Sequence, residues 1–350
     1  MNLPKMKRVV HIAPALPPAI NGLGDFCKIL ADSLEEKGVA DNVFMIMNRN
    51  GSLQSSKENT FSPYTFSRIL DQQIADVVML HYVGYAYDKR GIPYYIVRAL
   101  QKYKSMTRCR VLVFFHELYA SSNSIFELPF YTHWFQKLIV KQLIKIADTA
   151  FTNCTPYNEM LNHLSVKNRS SAVCTGIFSN VPDHLYDHTI EKDENALVVF
   201  GSLHKRVAVY RNPLFPALLE ALAIKTIYDI GPGESDFHDR KVKFMMKGTL
   251  SHFELAGYLN MSKFGALSYK PHLIGKSGIF SAYAAFGVIA FNLEKPGGPL
   301  HEGLVHGRNY FTFRTDVRPA NFDANVREEI LKWYRTRNQQ AVAAKIEIYI

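Results

Sequence analysis

Short, continuously apolar runs alternate with longer stretches of helical period along most of this chain. Residues 8–13 (RVVHIA) read as a strand, and a loop bearing prolines and glycines follows over 14–24. Phe26, Ile29, Leu30 and Leu34 then recur at helical spacing until Gly38 ends the helix. The alternation predicts strands over 43–47, 76–83, 110–116 and 149–153, with helices over 92–103, 133–147 and 157–164. A second series has strands over 196–201, 226–230, 242–247, 264–268 and 288–291. Its helices fall over 213–223, 252–260 and 279–286, and a last helix spans 324–344. Strands that are apolar throughout and separated by helices imply parallel sheets covered on both faces. The expected fold is α/β, with two Rossmann-like doubly wound domains facing across a cleft. Their expected bounds are 1–183, a charged linker at 184–195, then 196–323, with a C-terminal segment 324–350 that can return to the first domain.

Composition narrows the class. A length of 350 residues suits about two domains, and 47% apolar with 13% aromatic residues excludes a disordered or fibrous chain. Forty-one basic against 31 acidic side chains give +10. Without a motif or a basic–aromatic cluster such charge is a weak warrant for nucleic acid, so no nucleic-acid partner is expected. Cys27, Cys109, Cys154 and Cys174 are scattered and form no C-x-x-C pair, which suits a reducing, cytoplasmic setting. The longest charge-free apolar stretch, 277–292, is shorter than the ~18–20 residues of a membrane span. Lys5, Lys7 and Arg8 precede apolar residues, but Pro14, Pro17 and Pro18 interrupt any signal core.

Several motifs fail informatively. Gly275-Lys276-Ser277 ends like a Walker A loop, but the first glycine would fall at Lys270. Gly275-Lys276-Ser277-Gly278 lacks the closing glycine of a nucleophile elbow, which would be Ile279. His301-Glu302 with His306 is one residue too long for a zincin helix. Gly22 and Gly24 begin a dinucleotide fingerprint that Cys27 breaks, and Gly231 and Gly233 begin one that Asp236 breaks. No D-x-D pair exists to clamp a diphosphate through a metal, so neither a metal nor another cofactor is expected.

Four loops at predicted strand ends carry chemistry. Asn21-Gly22-Leu23-Gly24-Asp25 suits an anion at a helix start, or simply a tight turn with a helix cap. His116-Glu117 is a polar pair behind the apolar run 111–115, although a lone histidine is often structural. Gly201-Ser202-Leu203-His204-Lys205-Arg206 offers cations to phosphate, or is a solvated basic loop. Gly275-Lys276-Ser277-Gly278 opens an apolar helix with a lysine beside small residues, a good diphosphate site.

The order of these loops resembles the retaining GT-B glycosyltransferases related to glycogen synthase, the glycosyltransferase family four type of bacterial polysaccharide biosynthesis. His11 to Asp25 is similar to that family's opening strand and glycine loop, and His116-Glu117 to its H-E/H-D pair. Asp148 to Asn153, Phe200-Gly201-Ser202, Gly248 to Leu255 and Tyr269 to Ala290 resemble its later motifs. The family's E-x7-E glutamates are absent, their positions falling near Ile274 and Ala282. Ser202 stands at the usual arginine position, and Arg206 lies one residue early for the lysine.

The resemblance implies transfer of a hexose from a UDP-sugar, UDP-glucose first, to a saccharide or lipid-linked acceptor in envelope or exopolysaccharide synthesis, with retention and without a metal. It implies catalytic roles for His116, Glu117 and Lys276. Donor binding would fall to Gly22, Gly24, Ser202, Arg206, Thr249, Leu250, Lys276, Ser277 and Gly278, and Asp25 would face the acceptor. No residue stands out as a nucleophile. The alternative is a catalytically silent scaffold of the same fold, or a polysaccharide-binding protein, which the missing glutamates favour. On helix 133–147, Lys137, Lys141 and Lys145 form a stripe about 80° wide, with Leu138, Ile139, Leu143 and Ile146 on other faces. A solvated face explains it, and so does a weak peripheral contact with the anionic inner face of a membrane.

Overall fold

The computed structural model describes residues 6–17, 19, 22–47, 58–120, 128–165, 171–235, 237–295, 297–313 and 322–350. Lys5, Pro18, Asn21 and Asp236 lie outside them. The chain forms two compact units, Met1–Thr175 with Val342–Ile350, and Gly176–Ala341.

In the first unit β1 (Lys7–Ala13), β2 (Ala40–Met47), β3 (Glu58–Phe61), β4 (Val77–Tyr82), β5 (Arg110–Phe115), β6 (Thr149–Thr152) and β7 (Val173–Cys174) make one sheet. All its pairings are parallel, in the order β3-β2-β1-β4-β5-β6-β7. Helices α1 (Gly22–Glu36), α2 (Phe66–Asp71), α3 (Gly84–Tyr87), α4 (Tyr94–Met106), α5 (Leu128–Ile146) and α6 (Thr155–Leu164) cover it. Val10, Ile12, Val78, Leu80, Val111 and Val113 pack one face of the strands into a core with Ile96, Leu100, Val140 and Leu143. On the opposite face Cys27 and Ala31 of α1 pack against Phe44.

The second unit repeats the plan with β8 (Asp193–Phe200), β9 (Thr226–Ile230), β10 (Lys243–Gly248), β11 (Ser262–Leu267), β12 (Ile289–Asn292) and β13 (Phe311–Thr312). The order is β10-β9-β8-β11-β12-β13, again parallel throughout. Its helices are α7 (Leu203–Tyr210), α8 (Phe215–Ala221), α9 (His252–Met261), α10 (Gly278–Ala285) and α11 (Ala324–Arg335). Two doubly wound parallel sheets are the expected class.

Three local differences have physical causes. The stretch expected as a linker, 184–195, lies in the second unit, and β8 begins inside it at Asp193. Lys192 anchors it by donating to the carbonyls of Leu259 (2.8 Å), Asn260 (3.1 Å) and Ser262 (3.1 Å) at the end of α9, where helical carbonyls lack partners. Burial there pushes the Lys192 ammonium pKa down to about 7. Residues 203–206, expected within the loop 201–206, are instead the first turn of α7. The single helix expected over 324–344 is broken: Asn338 Oδ1 accepts from the Ala341 amide at 3.0 Å and starts α12 (Gln339–Glu347). From Val342 onward the chain belongs to the first unit, where Lys345 Nζ donates to Thr175 O at 3.0 Å and Tyr349 meets Phe151.

Candidate functional site

Open parallel sheets bind ligands beyond the carboxyl ends of the strands, where the strand order reverses. In the second unit that point lies between β8 and β11. β8 runs into Gly201, whose φ of +124° suits glycine alone. A Cβ there would come within 2.8 Å of the Ile279 side chain, so glycine lets the start of α10 close against the end of β8. Ser202 opens α7 from extended backbone, and its hydroxyl lies 3.1 Å from His204 Nδ1 instead of capping the helix. Lys205 places Nζ 4.8 Å over the Tyr269 ring. Lys205, Ser268, Tyr269, Ser277 and Ile279 line one cleft. Two helix starts beside an ammonium are the parts from which an anion site can be built.

The turn Pro271–Lys276 leads into α10 and leaves Lys276 half-buried two residues before its first helical residue, Gly278. Buried Arg337 braces it, donating to Gly275 O at 3.4 Å and Glu302 O at 3.2 Å while stacking on Trp333 at 4.2 Å. A Cβ at Gly275 would fall 2.2 Å from Glu302 Oε2, so the Glu302 side chain lies directly over this turn. Ser277 caps α10: its Oγ accepts from the Phe280 amide at 3.2 Å, and its own N–H donates to Ile274 O at 2.9 Å. The Ser277 amide expected for phosphate is therefore committed to the turn. Gly278 and Ile279, the first two helical residues, hold the amides that helix geometry directs outward.

Arg206 is the main correction. It is 1% exposed, and its guanidinium pairs with Asp229 and donates to Gly201 O (3.0 Å), Pro232 O (2.5 Å) and Gly233 O (2.9 Å). Asp229 also accepts from Tyr210 Oη at 2.5 Å and Ser235 Oγ at 2.8 Å. Arg206 thus knits the ends of β8 and β9 together and is not available to phosphate. Its neighbour Lys205, one residue back on α7, faces the cleft in its stead. Thr249 is exposed and Leu250 half-buried at the end of β10, ahead of a capping box in which Ser251 and Glu254 satisfy each other's amides.

In the first unit the order reverses between β1 and β4. Gly24 serves packing here: a Cβ would sit 2.5 Å from Ala15 O, so the loop after β1 lies directly on α1. Gly22 is exposed and Asp25 half-buried in the first turn of α1. His116 follows β5 and is 7% exposed, stacked on Phe114 at 4.4 Å and met edge-on by Phe26 at 4.8 Å. Its Nε2 lies 3.3 Å from His81 Nδ1. Glu117 is exposed beside it. The sequence offered Lys205 only as one cation of the 201–206 loop, with Arg206 preferred, and gave no role to His81 or to the side chain of His11; a histidine inside an otherwise apolar strand run was the available signal for those two.

No protein-family model matches the chain, and no curated protein matches it in sequence. Solved structures match its fold. Sucrose-phosphate synthase from Thermosynechococcus elongatus does so with a TM-score of 0.65 at 11% identity, over 98% of each chain. An alpha-glucosyltransferase in complex with UDP-glucose and DNA containing an abasic site gives 0.61 at 13%, again over 98% of each. A putative UDP-N-acetylglucosamine 2-epimerase from Listeria monocytogenes gives 0.57 at 12%, over 97% of this chain and 95% of that one. The fold is GT-B, as in the two transferase structures among these.

Proposed function

We propose that the protein is a glycosyltransferase that moves a hexose from a UDP-sugar, UDP-glucose first, to a saccharide or lipid-linked acceptor. The observation that carries this reading is the meeting of Lys205, the start of α7 and the start of α10 at the point where the second sheet reverses its order. Such groups suit a diphosphate, and they suit a leaving diphosphate better than a bound one. Charge moves onto the β-phosphate as the glycosidic bond breaks, and donors already fixed in place need no reorganisation to meet it. Lys276, held in its braced turn, and the Gly278 and Ile279 amides take that role without a metal. Ser202 and the exposed Thr249 supply hydroxyls along the same sheet edge. His116 in the first unit meets sugar hydroxyls, with Asp25 on the acceptor side. Retention of configuration and a place in polysaccharide synthesis follow from the family resemblance.

The lipid-linked form of the acceptor draws support from α5. Tyr131, Trp134, Phe135 and Leu138 are 50–67% exposed at helical spacing, and Lys137 Nζ lies 5.7 Å over Trp134. Ile139, Leu143 and Ile146 are buried instead, so Leu138 alone of the apolar set joins the outer face. Aromatic and basic side chains on one outer face suit an anionic membrane surface.

A silent scaffold is the second reading, favoured by the commitment of Arg206 to Asp229 and by the missing glutamates. Thermal shift over UDP, GDP and ADP, followed by donor turnover, separates the two, since a bound ligand raises the melting temperature by mass action. UDP stabilisation with release of UDP from UDP-glucose supports transfer. Stabilisation without turnover leaves the scaffold, an epimerised sugar product redirects the assignment, and no nucleotide response at all overturns it.

A further inference from the structure

Four buried polar side chains climb across the first sheet in register. Asn42 on β2 lies beside Val9, and His11 is two residues further along β1. His11 in turn lies beside Met79, with His81 two further along β4; His81 lies beside Phe114, with His116 two further along β5 and its end. Side chains two apart share a face, so the register alone puts all four on one diagonal that rises toward the carboxyl ends. The contacts follow it. Asn42 Oδ1 is 2.9 Å from His11 Nε2, His11 Nδ1 is 3.1 Å from His81 Nε2, and His81 Nδ1 is 3.3 Å from His116 Nε2. Asn42, His11 and His81 are at most 1% exposed.

The direction of every proton in this row follows from its far end. Asn42 Nδ2 donates to Ala31 O at 2.8 Å, and a carbonyl can only accept, so the other amide atom facing His11 is the oxygen. That oxygen also only accepts, so His11 carries its proton on Nε2 and offers Nδ1 as acceptor. His81 must then donate through Nε2 and accept at Nδ1, which requires His116 to donate through Nε2. We infer that Asn42, His11 and His81 are positioning residues that hold His116 in its Nε2–H tautomer, so that Nδ1 is the acceptor nitrogen of the neutral ring. That this ring meets sugar hydroxyls rests on the proposed function; the tautomer does not. A second proton on His11 or His81 would put a charge on a ring wholly shut away from water, and this burial lowers the pKa of both; with both rings neutral, each carries one proton and the row has this one direction.

Cys27 offers the same rings a different chemistry. Its sulfur and one nitrogen each of His11 and His81 lie within 4.8 Å of one another, which is ligand spacing for a metal. Burial pushes the Cys27 thiol up, against the thiolate a metal prefers, and the His11–His81 separation is that of a hydrogen bond.

Nitrogen NMR of isotope-labelled histidine, with resonances assigned by single histidine-to-glutamine variants, reads the tautomers directly and needs no substrate. All three rings should be neutral and protonated on Nε2. In Asn42→Leu, three strands away from His116, the row loses its fixed end and His116 should become a mixture of tautomers. Turnover should then fall about tenfold or more, as when an orienting partner of a histidine is lost, with the donor KM little changed. A wild-type His116 protonated on Nδ1, an unaltered His116 tautomer in Asn42→Leu, or a stoichiometric transition metal in the purified protein would each overturn the inference. If Asn42→Leu does not fold, the wild-type spectrum decides. Absence of any transferase activity would count against the proposed function and leave the tautomer result standing.

Discussion

Replacing Lys276 by alanine removes an ammonium from a turn that Arg337 and Glu302 hold in place. The expected loss is about 100- to 1000-fold in turnover, the usual effect of removing one preorganised donor, with a melting temperature near wild type. Arg206→Ala should behave in the opposite way. It strands the Asp229 carboxylate in a buried site, at a cost of about 3–5 kcal/mol in a urea titration. A stable Arg206→Ala protein that has lost only UDP affinity would return Arg206 to the donor site. Acid sensitivity comes from the histidines. Burial lowers the His11 pKa from 6.5 to about 4, and desolvation, with the charges of His11 and His116 behind it, lowers that of His81. Between those pH values the unfolded chain binds more protons than the folded one, so stability falls as pH drops from about 6.5 toward about 4. His11 alone should remove roughly 2 kcal/mol between pH 7 and pH 5. Urea midpoints at the two pH values check this, and equal midpoints would refute it.

Among the helices, α5 and α7 show how one pattern can be read two ways. In α5 the lysine stripe was visible in the sequence, but the aromatic row Tyr131, Trp134, Phe135 and Leu138 is a surface only because Ile139, Val140 and Leu143 turn the opposite side into the core. The protein should therefore sediment with anionic liposomes at low salt, and less so at high salt. Trp134→Ser with Phe135→Ser should abolish sedimentation while leaving UDP binding intact. Sedimentation that survives this pair of substitutions would locate the contact elsewhere. In α7 the polar run His204, Lys205 and Arg206 masks a helix whose buried residues are Arg206, Val209 and Tyr210. Hydrophobic periodicity misses it because one buried position is an arginine.

At the scale of the whole chain, UDP affinity should be unchanged by EDTA, because the groups proposed to meet the diphosphate are lysines and backbone amides. A tenfold loss on chelation would return a metal to the donor site. Duplex DNA should not displace a saccharide acceptor, since the +10 charge lacks a basic–aromatic cluster; inhibition by duplex at moderate salt would revise the acceptor class. Much of the architecture was legible in the sequence alone. Continuous apolar runs such as VVHIA, VVML and VLVFF can be satisfied only between two covering layers, so they specify parallel strands and helices in order. The chain segments at Gly201 and Lys276 stood out too, because glycine and charge are conspicuous beside apolar strands. The edge strands β3, β7 and β13 were not, being too short to show a period. Above all, the chain order could not say which of two adjacent cations turns inward. Lys205 and Arg206 differ by about 100° around α7, and that angle puts one over Tyr269 and the other against Asp229. The histidine row was hidden for the same reason. His11, His81 and His116 are far apart in sequence, and only the register of β1, β4 and β5 brings their nitrogens within hydrogen-bonding distance.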